Sequence, residues 1–182
     1  MAAICVYCAS VPQIESRFLD LATEIGTLIA ARGHTLVSGG GSVSMMGAVA
    51  AAARAGGART VGVMPQALVN AEIADESSDE LVVVDTMRER KRVMEERSDA
   101  FVVLPGGIGT LEELFEMWTA RYLMMHTKPV VLLNAFGFYD PLLQMIDTMY
   151  RAGFVRPVSL EVLHRATTAA EAVDAVDAAL AG

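Results

Sequence analysis

The residues of this chain whose types and spacing could do chemistry are two glycine-rich runs, an arginine and a glutamate. The runs are Ser38-Gly39-Gly40-Gly41-Ser42 and Pro105-Gly106-Gly107-Ile108-Gly109-Thr110. Bare backbone in such turns leaves N–H groups open to an anion, and the start of a following helix adds partial positive charge. A phosphate-bearing ligand is the natural inference. Three familiar ways of holding one do not fit. The dinucleotide fingerprint G-x-G-x-x-G is missed in both runs, because Gly39-x-Gly41 leads to Ser44 and Gly107-x-Gly109 leads to Glu112. A P-loop needs Gly-Lys-Ser/Thr, yet the only lysines are Lys91, after Arg90, and Lys128, after Thr127. A pyridoxal enzyme would need one of those two as its Schiff base, and Lys128 precedes a strand, the wrong end of a sheet for a site.

The pattern that survives is Pro105-Gly-Gly-x-Gly-Thr110-x-x-Glu113. Its structural reading makes Thr110 an N-cap and Glu113 its capping-box partner. Helical spacing favours more than that. Leu111, Leu114, Phe115, Trp118 and Tyr122 form a stripe toward the sheet, and Glu112 and Glu116 share a solvated flank. Glu113 falls opposite the stripe, in line with Met117, Ala120 and Met124, beside the glycine loop. A carboxylate on an apolar face next to a phosphate cradle reads as catalytic. Arg90 sits in the run Met87-Arg88-Glu89-Arg90-Lys91-Arg92-Val93-Met94, spaced to share a face with Met87, Val93, Met94 and Arg97. It is expected to point into a cleft, where an arginine suits an anionic or nitrogen-rich ligand.

Cys5 and Cys8 form a C-x-x-C, but in an apolar, β-rich run. Residues three apart on a strand point to opposite faces and cannot clamp one ion. They read as two buried thiols, and His34, His126 and His164 have no ligand spacing, so no metal site is expected. No cofactor is expected either. A net charge of −8 argues against a nucleic-acid partner. No apolar run approaches the ~18 residues a membrane helix needs. With hydrophobic residues at 53% and charged ones at 20%, the 182 residues read as one soluble, cytoplasmic domain, 1–182.

The elements that must position these residues follow from the alternating period of the apolar positions. Strands are expected at 4–9, 35–38, 60–64, 81–85, 100–104 and 129–134. Helical spacing covers Phe18 to Ile29, 48–53, 87–97, 111–125, 139–151 and 168–180, with one more strand before the last helix. The polar stretch 70–80 reads as a surface loop. Strand–helix alternation with strands apolar on both faces implies an α/β fold: a doubly wound parallel sheet in a Rossmann-like three-layer sandwich. Sites in such folds lie beyond the carboxyl ends of the strands, which selects Cys8-Ala9-Ser10 and the two glycine runs.

At these residues the chain resembles the Lonely Guy family of phosphoribohydrolases. The likeness rests on Met87-Arg88-Glu89-Arg90-Lys91, on Leu104-Pro105 through Glu113-Leu114, on Ser38 to Val43 with Met46-Gly47, and on Cys5 to Ser10. It implies a mostly dimeric enzyme that cleaves N6-modified adenosine 5′-monophosphates to a free cytokinin base and ribose 5-phosphate. Carried over, the catalytic pair falls on Arg90 and Glu113. Nucleotide binding falls on Glu72, Lys91 and Gly107 to Thr110, with Ser10, Gly40, Gly41 and Gly106 joining from the neighbouring loops. The chain departs from many members at Ser44, where glycine is usual, at Arg88, at Ile108, and across Thr119-Ala120-Arg121-Tyr122, changes that bear on the base pocket. The glycine pattern also resembles molybdenum-cofactor carrier proteins, a binding function without turnover. A second apolar face on the helix at 111–125, with Met117 and Met124, is expected to meet another copy in a homodimer.

Overall fold

In a computed structural model that describes residues 1–69 and 74–182, seven strands form one all-parallel sheet. They are β1 (Ala3–Tyr7), β2 (Thr35–Ser38), β3 (Thr60–Pro65), β4 (Glu80–Val84), β5 (Ala100–Val103), β6 (Val130–Leu133) and β7 (Leu163–Ala166). Their spatial order is β4-β3-β2-β1-β5-β6-β7. Each expected strand is present, and β-branched and apolar runs of four to six residues explain why.

Helices cover both faces, as a parallel sheet requires. One face carries α1 (Ser16–Ala31), α2 (Ser44–Ala55) and α7 (Ala169–Ala181), whose apolar sides close over Ile4, Val6, Leu36, Val102 and Val131. The other carries α3 (Met87–Glu96), α4 (Ile108–Tyr122), α5 (Asp140–Arg151) and the short α6 (Pro157–Glu161), over Cys5, Tyr7, Val63, Phe101 and Val130. Cys5 and Cys8 are free, buried thiols in opposite core layers, as strand alternation demands.

Two expectations about α4 need correction. Gly107, not Thr110, is its N-cap, so the helix starts earlier and Glu113 is no capping-box partner. Its sheet-facing side also runs through Met117, which is 2% exposed, whereas Phe115 is 38% exposed on the flank, stacked on Trp118. The expected second face through Met117 therefore does not exist.

The described part of the polar stretch 70–80, from Ala74 on, is likewise more than a solvated loop. Asp75 is buried, its amide donates to the Gly40 carbonyl at 2.8 Å, and its carboxylate takes Arg54 at 2.6 Å. Those bonds, with a backbone bridge between Gly41 and Ala74, clip this segment onto the first glycine run. Ser44 opens α2 with φ at 56°, the left-handed region where a side chain costs about 1 kcal/mol or more. This is why glycine suits the position and why Ser44 is a strained departure.

Candidate active site

In an open parallel sheet a crevice forms where neighbouring crossovers leave in opposite directions. Here that point lies between β1 and β5, since β1 connects toward β2 and β5 toward β6. A cleft of about 250 Å³ opens there. It is lined by Cys8 to Val11 after β1, by Gly39 after β2, by Gly107 to Thr110 and Glu113 at the head of α4, and by Met87, Arg90 and Met94 of α3. Sequence reasoning placed Ser10, Arg90, Gly107, Ile108, Gly109, Thr110 and Glu113 here, and the structure brings them together.

Arg90 is positioned by α3, which begins cleanly because the Thr86 hydroxyl accepts the Glu89 amide at 3.1 Å. From there its side chain is 5% exposed and crosses the ends of two strands. Its Nε donates to the Val63 carbonyl at 3.0 Å and its Nη2 to the Gly39 carbonyl at 2.8 Å. Two backbone acceptors thus fix the plane of a buried guanidinium at the cleft wall.

Gly39, rather than the Gly40 and Gly41 chosen from the same run, lines the cleft. A Cβ at Gly39 would lie 2.1 Å from Arg90 Nη2 and 3.0 Å from Met46 Sδ. Both obstacles are ends of flexible side chains, so Gly39→Ala is expected to fold yet displace the guanidinium. In an enzyme site, a shift of about an ångström in a group that acts on substrate costs up to ~100-fold. We expect kcat to fall about 10- to 100-fold with little change in melting temperature, measured by steady-state kinetics beside thermal unfolding. Gly40 and Gly41 lie outside the cleft lining. Gly40 has φ at +77° and sits tightly against Val63, with a Cβ there 3.2 Å from the Val63 amide. Only the folded path of the loop shows which of three consecutive glycines must stay bare.

The second glycine run is shaped from below. Tyr139 Oη donates to the Leu104 carbonyl at 2.7 Å, fixing the chain just before the loop. Gly106 lies outside the lining but makes room for Thr110, because a Cβ would stand 2.2 Å from Thr110 Oγ1. Gly107, Ile108, Gly109 and Thr110 then bring the free amides of the first helical turn to the cleft. Ile108, 89% exposed, stands at the rim.

Glu113 follows in the second turn of α4, half-buried. Burial pushes the Cys5 thiol up to about 12, and the Glu113 charge adds to the shift. Burial first, then the same carboxylate, holds Cys8 well above its ordinary value. Cys8 lines the cleft but stays a thiol, so nucleophilic cysteine chemistry does not fit.

Lys91 does not line the cleft. Its ammonium is held by Glu112 and Glu116 of α4. Lys128 donates to the Glu95 carbonyl at 2.5 Å, before β6 and away from the site. Neither amine is placed for a Schiff base, so the residues present do not fit pyridoxal phosphate. Glu72 lies outside the described residues.

The family described as "Possible lysine decarboxylase" matches residues 46–176. A cytokinin riboside 5′-monophosphate phosphoribohydrolase from Mycobacterium tuberculosis is 54% identical over 160 residues, covering 88% of this chain and 85% of that protein. One of the same name from Arabidopsis thaliana is 42% identical over 170 residues, covering 93% and 79%. Among solved structures, the molybdenum cofactor carrier protein of Chlamydomonas reinhardtii superposes with a TM-score of 0.75 at 26% identity, covering 99% and 98% of the two chains.

Proposed function

The chain belongs to the Lonely Guy family of phosphoribohydrolases, and on that premise we propose that it hydrolyses the N-glycosidic bond of N6-modified adenosine 5′-monophosphates. The products are the free base and ribose 5-phosphate. The observation that carries this reading is that Arg90 and Glu113, from different crossover helices, face one cleft with the amide-rich turn at Gly107 to Thr110.

The division of labour follows from the chemistry. N-glycoside cleavage passes through an oxocarbenium-like ribose, so the site must stabilise positive charge at the sugar and direct a water. Glu113 supplies the anion for the first task and accepts the water's proton for the second. The departing base takes up a proton, and the net change is addition of water across the bond. Arg90, fixed by two carbonyls, orients the negatively charged nucleotide or the leaving base. The turn at Gly107 to Thr110 holds the 5′-phosphate, whose remote binding energy orients the ribose. Ser10 and Glu72 complete the binding set. The cleft offers a purine monophosphate both a charged floor and an apolar rim of Val11, Met87 and Ile108.

The test is turnover of N6-isopentenyladenosine 5′-monophosphate and AMP against the matching nucleosides, with free base measured by chromatography. The reading expects base from the monophosphates and little from the nucleosides; no base from either class overturns it. The likeness to molybdenum cofactor carriers supports a second reading, binding without turnover. The same assay separates the two, and the carrier reading gives no account of a carboxylate that shares a cleft with a fixed arginine.

The chain works as a homodimer in the cytoplasm, in this reading. No helix among the described residues is long and apolar enough to cross a membrane. An apolar groove runs between α4 and α5, with Phe115, Trp118, Tyr122, Met149 and Phe154 along it, and Leu123, Met124, Met125 and Met145 exposed nearby. Large apolar groups gathered on one face mark an association surface. Light scattering should give twice the chain mass, and Phe154→Asp, at a residue 85% exposed, should shift it toward one chain without lowering the melting temperature of the fold.

A further inference from the structure

Arg54 and Asp75 lie outside the cleft lining, yet their pairing reaches the glycine run that holds Arg90. The Asp75 side chain is 6% exposed and that of Arg54 24%. A polar group withdrawn this far from water must be met by partners. Asp75 Oδ2 accepts from Arg54 Nη1 at 2.6 Å and from the Ser78 hydroxyl at 3.3 Å, and its Oδ1 accepts from the Ser77 amide at 3.2 Å. The two serine bonds close a turn that leads into β4, and the arginine ties that turn to the last turn of α2. Because α2 packs on α1, β2 and β3, Arg54 is a fixed anchor.

The backbone of Asp75 carries the connection inward. Its amide donates to the Gly40 carbonyl at 2.8 Å, while the preceding carbonyl, that of Gly39, accepts Arg90 Nη2 at 2.8 Å. These carbonyls belong to successive peptide planes, and the Gly40 dihedrals, with φ at +77°, set the angle between them. Pinning one plane therefore directs the other. From this placement we infer that Asp75 is a positioning residue of the site: anchored by Arg54, it holds the Gly40 peptide from outside the cleft and so aims the Gly39 carbonyl that orients the Arg90 guanidinium. The inference rests on the proposed hydrolase reading for its kinetic test alone. Stability and positioning separate cleanly here. Removing one partner of a buried ion pair strands a charge, whereas replacing both by neutral residues is often close to neutral for stability.

Arg54→Met, the double variant Arg54→Met with Asp75→Asn, and Arg54→Lys test this by steady-state kinetics beside melting curves. Arg54→Met should melt lower, and the double variant, which strands no charge, should melt near the parent. Positioning predicts that the double variant still has kcat about tenfold down, with KM for the monophosphate within about twofold, because Arg90 is misdirected in a folded site. A pair that serves stability alone predicts parental kcat wherever the melting temperature is parental. Arg54→Lys keeps a cation against Asp75 and should recover most of the rate. Crystal structures supply a readout that needs no activity: in the double variant the Gly39 carbonyl and the Arg90 guanidinium should be displaced relative to Val63. Parental kcat in the double variant, a rise in KM alone, an Arg54→Lys enzyme no faster than the double variant, or an unmoved Arg90 would overturn the inference. Should the parent protein turn over no nucleotide, the hydrolase reading fails, and the crystallographic comparison still decides the role of Asp75.

Discussion

Replacing Glu113 by glutamine is expected to cut kcat about a thousandfold while the protein folds as before. Glutamine keeps the shape of the side chain and removes both its charge and its ability to take a proton from water. The loss should appear in kcat and kcat/KM alike, because the charge it removes acts on the developing ribose cation more than on the bound ground state. The structure removes one competing role: the cap of α4 is Gly107, so Glu113 is not the capping-box partner of Thr110. Steady-state kinetics and a melting curve on the same sample check it. A glutamine variant with near-full turnover would remove Glu113 from the chemistry.

Arg90→Ala is expected to lose at least a hundredfold in kcat/KM, and unlike the glutamate variant it should also lose stability. The guanidinium satisfies the Val63 and Gly39 carbonyls at the ends of β3 and β2. Leaving buried acceptors without donors costs about 1–3 kcal/mol each, offset where water from the open cleft can take the vacated place. A fall of several degrees in melting temperature is the expected result, on the scale of about 2–4 °C per kcal/mol for a chain of this size. Spacing along α3 points Arg90 inward, but nothing in the spacing announces that a residue of the site also closes the backbone accounting of the sheet. Kinetics with a denaturation series separates the two losses, and an unaltered melting curve would show that the two carbonyls do not depend on Arg90.

The layered sheet was legible because its strands are short, β-branched and apolar on both faces, a pattern that covered parallel strands impose. The location of the cleft followed from chain order, since the loops after β1, β2 and β5 converge wherever crossovers diverge. Finer features escaped for physical reasons. Thr110 has the chemistry of a cap, but the glycine turn already bends the backbone into helical geometry at Ile108, and Thr110 is consumed in packing against Gly106. Along α4 the apolar residues are too many to fix the phase of the wheel, so Phe115 and Met117 exchanged places. The choice among Gly39, Gly40 and Gly41 depends on a contact with an arginine 51 residues away. The ion pairs of Lys91 with Glu112 and Glu116 join residues 21 and 25 positions apart, which spacing along α3 alone does not reveal.

The most direct test of the shared cleft is a crystal structure of the Glu113→Gln protein with N6-isopentenyladenosine 5′-monophosphate bound. The account predicts the 5′-phosphate on the amides at Gly107 to Thr110, the ribose C1′ beside residue 113, and Arg90 still bonded to Val63 and Gly39. A nucleotide seated elsewhere, or residue 113 turned to bulk solvent with the ribose out of its reach, would contradict it.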